Sequence, residues 1–189
     1  MKVVIDTNSL LALVRYYLPF DKKGALLQFI KSKIANGDIL IIDKVLEECT
    51  YSSKGIVLIK LPYLTDRKFL KSAKVPLRTD SLLVPNTRQF FHQLNNVFVN
   101  SPIKRKLTEV EFENQKSSFI ESADMKQVIL CLNLKNQGEH VVIVTEETES
   151  SNDNRLFKKI PVICKELEIN TTTLPELILK YDGIHIDFQ

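Results

Sequence analysis

The chain has 189 residues, of which 44% are hydrophobic and 26% are charged, and these values are typical of a soluble globular protein. That length allows one sizeable domain with its own core, and no apolar run approaches the roughly 20 residues of a membrane span. The formal net charge of +3 is ordinary for the chain as a whole.

The first predicted element is a buried strand, because Val3–Ile5 is a short β-branched run. It ends on Asp6, after which Thr7 or Asn8 can cap a helix. Open parallel sheets bind their ligands at the carboxyl ends of strands, which is where Asp6 is expected to lie. An ionised carboxylate near a core is costly unless it is paired or bound to a cation, so Asp6 needs a partner.

The next residues predict a helix between Gly24 and Asn36, a second buried strand from Ile39 to Ile42, and a helix capped by Asp43. This β-α-α-β-α order is typical of a parallel sheet covered by helices. The third helix carries two adjacent acids, Glu47 and Glu48.

A basic segment follows. Residues 54–106 carry eleven Lys or Arg and only two acids, a local net charge of +9. Such a segment is either a solvated surface or a surface that contacts the phosphates of a nucleic acid. We expect a largely helical basic insertion at about residues 55–120, with helices over Thr87–Val99 and Leu107–Ile120 and a linker at Pro102–Lys106.

Regular patterning returns at Ser122, which is predicted to cap a helix with Asp124 in its first turn. Val141–Val144 is a continuous β-branched run suited to the centre of a parallel sheet, and it leads into Thr145, Glu146 and Glu147. A helix at Pro161–Leu167, a strand at Ile169–Thr173 and a helix from Pro175 to Tyr181, ended by Gly183, complete the predicted elements.

Four acids are therefore expected on one rim of a parallel sheet: Asp6, Glu48, Asp124 and Glu147. Like charges that converge repel one another unless a multivalent cation neutralises them. Carboxylate oxygens select Mg²⁺ or Mn²⁺, and no cluster of Cys or His suggests zinc.

Several assignments stay open at this point. Glu47 competes with Glu48, and either Glu146 or Asp153 could replace Glu147. Taken singly, an acid such as Asp124 could also serve only to complement the amino end of its helix.

Four short motifs carry these acids: Val4-Ile5-Asp6-Thr7-Asn8-Ser9, Val45-Leu46-Glu47-Glu48, Ala123-Asp124 and Val144-Thr145-Glu146-Glu147. Their order resembles the PIN-domain nuclease family, which includes the VapC-type toxins of bacterial toxin–antitoxin pairs. Lys158–Cys164 is more similar to a PIN-like subgroup than to the best-studied toxins. The resemblance covers roughly residues 1–53 and 120–180.

The resemblance implies a single domain over residues 1–189 with a three-layer α/β/α fold and a central parallel sheet. It also implies a metal-dependent endoribonuclease. Asp6, Glu48, Asp124 and Glu147 would bind Mg²⁺ or Mn²⁺ and act in catalysis, with Asn8 and Thr145 as their hydrogen-bonding supports. RNA would be the substrate, and an antitoxin and a second copy of the chain would be partners.

Two departures from the family affect this interpretation. Glu147 is a Glu where many relatives carry Asp, and the segment after Gly55 is longer than a minimal PIN domain needs. An inactive PIN-like module that binds RNA or a protein is the main alternative. A phosphatase that uses Asp6 as a nucleophile is disfavoured, because Asn8 stands where the haloacid-dehalogenase pattern has a second Asp.

The three cysteines are widely spaced within apolar helical patterns, at Cys49, Cys131 and Cys164. We expect them to be buried small hydrophobes in a reducing compartment. The amino terminus has no signal-peptide pattern, so a cytoplasmic location is expected.

Overall fold

The computed structural model describes residues 1–149 and 154–181 of the chain. Within them, four parallel strands form one sheet in the order β2-β1-β3-β4. The strands are β1 (Lys2–Ile5), β2 (Ile39–Leu40), β3 (Val141–Val144) and β4 (Asn170–Thr172). The predicted mixed α/β fold, a three-layer α/β/α arrangement around a central parallel sheet, is confirmed.

The two central strands end side by side. Ile5 of β1 is paired with Val144 of β3, and the apolar side chains of both strands are buried. Continuous apolar runs of this kind belong to strands that are covered on both faces. The Asp6 N–H donates to the Val144 carbonyl at 3.0 Å, and the Thr145 N–H donates to the Thr172 carbonyl at 3.0 Å. The register therefore brings Asp6 and Thr145 out of the sheet as neighbours.

Helices account for most of the remaining described chain. The α-helices are α1 (Thr7–Ala12), α2 (Ala25–Ala35), α3 (Asp43–Tyr51), α4 (Ile56–Lys60), α5 (Arg67–Ala73), α6 (Thr87–Asn96), α7 (Ser101–Lys104), α8 (Glu109–Ile120), α9 (Ala123–Asn136), α10 (Ile160–Glu166) and α11 (Leu174–Lys180). α1 continues as a wider π turn over Leu13–Tyr17 and a 3₁₀ turn over Leu18–Phe20. Further 3₁₀ turns lie at Ser52–Gly55 and Pro62–Leu64.

The basic insertion expected at about residues 55–120 is largely helical, since it holds α4 to α8. Its apolar side chains Phe90, Leu94 and Phe98 are buried in the same hydrophobic cluster as β1 and β3. The segment therefore contributes to the core that supports the sheet.

Several element boundaries differ from the predictions. Asp6, rather than Thr7 or Asn8, occupies the position before the first helix, because the strand ends directly on the helix and leaves no intervening loop. The predicted linker at Pro102–Lys106 contains part of α7, since a proline suits the first turn of a helix. β2 is shorter than predicted, and Ile42 instead forms an isolated bridge with Leu77.

All three cysteines are buried and unpaired, as predicted. Among residues 1–149 and 154–181, no helix combines the length and apolarity needed to cross a membrane. The predicted helix end at Gly183 lies outside the described residues.

Candidate metal centre

Asp6 is a buried carboxyl group at the carboxyl end of β1, and its side chain is 3% exposed. Its pKa is raised to about 6, mainly because burial disfavours the ionised form. The nearby charge of Glu147 also raises the pKa, whereas the Thr7 backbone N–H, the nearby Gln127 amide and the Thr145 hydroxyl lower it. A cation bound beside Asp6 would therefore stabilise its charged form.

Thr145 connects two of the acids. Its hydroxyl donates to Asp6 Oδ2 at 3.2 Å and accepts the Glu147 N–H at 3.2 Å. Thr145 is 2% exposed, so both bonds are shielded from solvent. The sequence-predicted supporting residue therefore touches one carboxylate and fixes the backbone of another.

Asp124 lies in the first turn of α9 and is half-buried. Burial is the largest of the causes that raise its pKa to about 7, and three neighbouring carboxylates act in the same direction. Those carboxylates are, in order of effect, Asp6, Glu147 and Glu48. Arg155 acts in the opposite direction. The structure thus brings the four predicted acids close enough to repel one another.

The two adjacent acids of α3 have different surroundings. Glu48 is half-buried and accepts a hydrogen bond of 2.6 Å from the Thr7 hydroxyl. Glu47 is exposed, and its backbone carbonyl accepts from the Thr50 hydroxyl at 2.7 Å. Of these two side chains, Glu48 is therefore the one that acts on the cluster.

The acids after β3 also differ. Glu147 has a side chain that is 15% exposed, and its Oε1 lies 3.4 Å from Arg155 Nη1. Glu146 Oε1 instead accepts from the Ser9 hydroxyl at 3.2 Å and from the Leu174 N–H at 2.9 Å, which ties the strand end to α1 and α11. The third alternative, Asp153, lies outside the described residues.

The cluster contains polar atoms that lack a partner. Glu147 Oε2 and both amide atoms of Gln127 are buried and have no hydrogen-bond partner within bonding distance among the described residues. Buried polar atoms are nearly always satisfied, so these positions call for a cation, a water or a substrate group. Carboxylate and amide oxygens are ligands that suit Mg²⁺ and Mn²⁺ rather than zinc.

The side chains of these acids are not arranged as a complete metal-binding site among the described residues. In the part of the chain that the structure describes, no three His, Cys, Asp or Glu side chains stand together as a group that could hold a metal ion. The Glu48 carboxylate is turned toward Thr7, and the Glu147 carboxylate is turned toward Arg155.

Sequence reasoning missed part of the support of this cluster. Asn8 is exposed and forms no side-chain hydrogen bond with these carboxylates in the described chain, whereas its neighbours Thr7 and Ser9 bond Glu48 and Glu146. Gln127 could have been found, because it lies three residues after Asp124 on one helix face. Arg155 follows a polar stretch of sequence that carries no recognisable motif.

Comparison with known proteins gives a match to a protein family. A family model described as "Domain of unknown function (DUF4411)" matches residues 64–183. The matched range includes Asp124 and Glu147 and leaves out Asp6 and Glu48. No curated protein and no solved structure matches the chain.

Proposed function

Because this chain belongs to the DUF4411 family, whose function is unknown, we propose an activity from the site itself: metal-dependent hydrolysis of RNA phosphodiester bonds, that is, an endoribonuclease. The observation that carries the proposal is the coupling of Asp6, Glu48 and Glu147 to Asp124 beside the central strands. The negative charges of these carboxylates repel one another, and a multivalent cation bound between them would relieve that repulsion.

The location of the cluster supports the proposal. β1 is flanked by β2 on one side and β3 on the other, so the chain reverses its direction of travel across the sheet at this point. Ligand sites of open α/β sheets are built beyond the carboxyl ends of strands at such a switch point. Asp6 and Thr145 follow the two strands that meet there.

In this proposal, Asp6 and Asp124 hold the principal ion, and Glu48 and Glu147 complete the site or a second one. A bound Mg²⁺ or Mn²⁺ would polarise the phosphodiester and lower the pKa of the attacking water. Thr145 and Thr7 orient the carboxylates of Asp6 and Glu48. Arg155 lies where it can offset the repulsion between the acids and an anionic substrate.

The basic segment, residues 54–106, extends the positive charge available to RNA. The resemblance to VapC-type toxins suggests the toxin of a toxin–antitoxin pair, with an antitoxin and a second copy of the chain as partners. Three buried, unpaired cysteines fit a reducing compartment, and we propose the cytoplasm.

Cleavage of a fluorescently labelled single-stranded RNA tests the proposal. Wild-type protein should cleave with Mn²⁺ and lose activity with EDTA. Asp6→Asn and Asp124→Asn should each reduce the rate by roughly a hundredfold or more, because each removes a ligand charge. Equal rates for wild type and Asp6→Asn would overturn the mechanism.

The neighbouring acids of α3 supply a matched pair of variants. Glu48→Gln should reduce cleavage strongly, because Glu48 acts on Asp124. Glu47→Gln removes the same charge one residue away from an exposed position and should leave the rate within about twofold of wild type. Equal losses would mean that general charge, rather than ligation, controls activity.

A second candidate is a PIN-like module that binds RNA or a protein without cleaving it. The observation in its favour is that Thr7 and Arg155 already engage the carboxylates of Glu48 and Glu147. Calorimetric titration with Mn²⁺ separates the two candidates. A nuclease gives binding heat that Asp6→Asn and Asp124→Asn abolish, whereas an inactive module gives no heat that depends on these acids.

A further inference from the structure

We propose that a cleft next to the carboxylate cluster binds the phosphate backbone of single-stranded RNA; the inference deepens the proposed function and depends on it. The cleft has a volume of about 540 Å³. Its polar lining consists of Asn96, Asn100, Ser101, Arg155, Lys158 and Lys159.

The cleft is built where the basic insertion meets the segment after β3. Val99 and Phe157 form an isolated antiparallel bridge. The Asn100 N–H donates to the Leu156 carbonyl at 2.7 Å, and the Lys158 N–H donates to the Phe98 carbonyl at 2.8 Å. Because Leu156, Phe157 and Phe98 are buried, this junction holds the two walls in a fixed relation.

The lining charges are all positive. Lys158 and Lys159 are half-buried, and neither forms an ion pair with any acid in residues 1–149 or 154–181. No acidic residue of the described chain lines the cleft. Partly desolvated cations without a counter-charge favour an anionic ligand. The amide and hydroxyl groups of Asn96 and Ser101 add the hydrogen-bonding groups that phosphate and ribose oxygens use.

Arg155 connects the cleft with the carboxylates. The same residue lines a second cleft that contains Asp124, and its guanidinium pairs with Glu147. An anionic chain bound along Lys158 and Lys159 could therefore continue past Arg155 and place a phosphate next to the acids. A free phosphate would occupy only the part of this path beside Lys158 and Lys159. A polynucleotide could contact these lysines and reach the acids at the same time, and we therefore infer a polynucleotide ligand.

The cleft is suited to the backbone rather than to the bases. Phe157, the aromatic ring in its wall, is 7% exposed and stacks on Phe119 at a centroid distance of 4.2 Å. Its face is therefore already occupied and offers no platform for a base. We expect binding with little dependence on base sequence.

Fluorescence anisotropy with a labelled single-stranded RNA tests the inference, in EDTA and in the Asp6→Asn background so that no cleavage occurs. Lys158→Ala together with Lys159→Ala should weaken binding roughly tenfold at physiological salt. The slope of log K against log salt should shrink by about 1.4, since each single-strand phosphate contact contributes about 0.7.

The chain offers a matched control. Lys22 and Lys23 are likewise adjacent in sequence; both are exposed, and neither lines the cleft. Lys22→Ala together with Lys23→Ala should keep the affinity within about twofold. Lys158→Arg together with Lys159→Arg keeps the charge and should retain binding, which guards against loss of folding as the cause.

Three outcomes would overturn the proposal that the cleft binds RNA. They are no RNA binding by the Asp6→Asn protein, equal losses of RNA affinity in the two double lysine variants, or displacement of the RNA by submillimolar inorganic phosphate. The nuclease proposal fails separately. If wild-type protein binds RNA through Lys158 and Lys159 but does not cleave it, the nuclease proposal fails and the cleft proposal stands. If wild-type protein cleaves RNA with metal and the double alanine variant binds RNA as well as wild type, the cleft proposal fails and the nuclease proposal stands.

Discussion

Thr145 holds the candidate site together through a single hydroxyl, which touches Asp6 and the backbone of Glu147. Thr145→Val keeps the shape and removes both bonds. We expect the pKa of Asp6 to rise further, the Mn²⁺ affinity to fall roughly tenfold, and the free energy of unfolding to fall by about 1–2 kcal/mol. Calorimetry and urea unfolding measure these changes. Thr145→Ser keeps the hydroxyl and serves as the control. If it lowers the Mn²⁺ affinity and the free energy of unfolding as much as Thr145→Val does, the two hydrogen bonds are not the cause.

The raised pKa values of Asp6 and Asp124 predict how stability depends on pH. Both lie above the ordinary 3.8, at about 6 and about 7, so between pH 4 and 7 the metal-free folded chain retains protons that the unfolded chain has released. The free energy of unfolding of the metal-free protein should therefore fall as the pH rises through this window.

Urea unfolding in EDTA at several pH values measures this effect as the difference between wild type and the Asp6→Asn, Asp124→Asn double variant. Wild type should lose stability relative to the variant as the pH rises. Mn²⁺ should restore it near neutral pH, because the ion binds the charged carboxylates. If the free energy of unfolding of wild type instead rises relative to that of the variant across this pH window in EDTA, the prediction is contradicted.

At the scale of single residues, the sequence indicated the acids better than their surroundings. Asp6 could be predicted because it ends a strand and begins a helix, and Thr145 because it ends the other central strand. The contact of Thr7 with Glu48 joins residues 41 positions apart, and that of Ser9 with Glu146 joins residues 137 apart. Contacts of this kind leave no local pattern.

At the scale of elements, Asp43 attaches the loop after α5 to the start of α3. Its carboxylate accepts from the Thr79 hydroxyl at 2.6 Å and from the Thr79 N–H at 3.0 Å. Partial burial raises the pKa of Asp43, but these hydrogen bonds and that of Lys44 outweigh it and lower the pKa overall.

Asp43→Ala should reduce the free energy of unfolding by about 2–3 kcal/mol at neutral pH, because it leaves two buried donors of Thr79 without an acceptor. Asp38→Ala serves as a control. Asp38 forms a partly exposed ion pair with Lys33, which should contribute about 1 kcal/mol or less. Urea unfolding compares the two variants, and equal losses would mean that Asp43 acts only through its surface charge.

Elements with strong local signals were predicted well. β3 is a continuous β-branched run, and α9 follows the Ser122 cap, whose hydroxyl oxygen accepts the Met125 N–H. The helix α7 was missed, because a single turn is too short to show hydrophobic periodicity. The early end of β2 was missed because it depends on a bridge to Leu77, far along the chain.

At the scale of the whole molecule, the basic insertion and the sheet share one core. Phe98 is fully buried and packs edge-on against Phe90 at a centroid distance of 6.1 Å. Phe98→Ala should reduce the free energy of unfolding by about 3–5 kcal/mol. Leu83→Ala removes a side chain that is 81% exposed and should change it by less than about 0.5 kcal/mol. If the insertion were a separate unit, Phe98→Ala would shift only part of a two-step urea transition.

The sequence predicted a parallel sheet but not the docking of residues 55–120 beside the acids. That docking includes the bridge between Val99 and Phe157, and nothing in the composition of either segment indicates the other. The cleft lined by Lys158 and Lys159 could therefore be recognised only from the folded chain.

The pairing of β1 with β3 joins Lys2 to Val141, so the edge that carries Asp6 is completed by residues from much later in the chain. Closing so long a loop is slow, and it cannot begin before the distal partner exists. During translation Asp6 is therefore synthesised long before Thr145 and Glu147, and the strand that carries it cannot pair with β3 until Val141–Val144 have left the ribosome. Whatever chemistry the assembled site performs is accordingly absent from nascent chains that end before Val141.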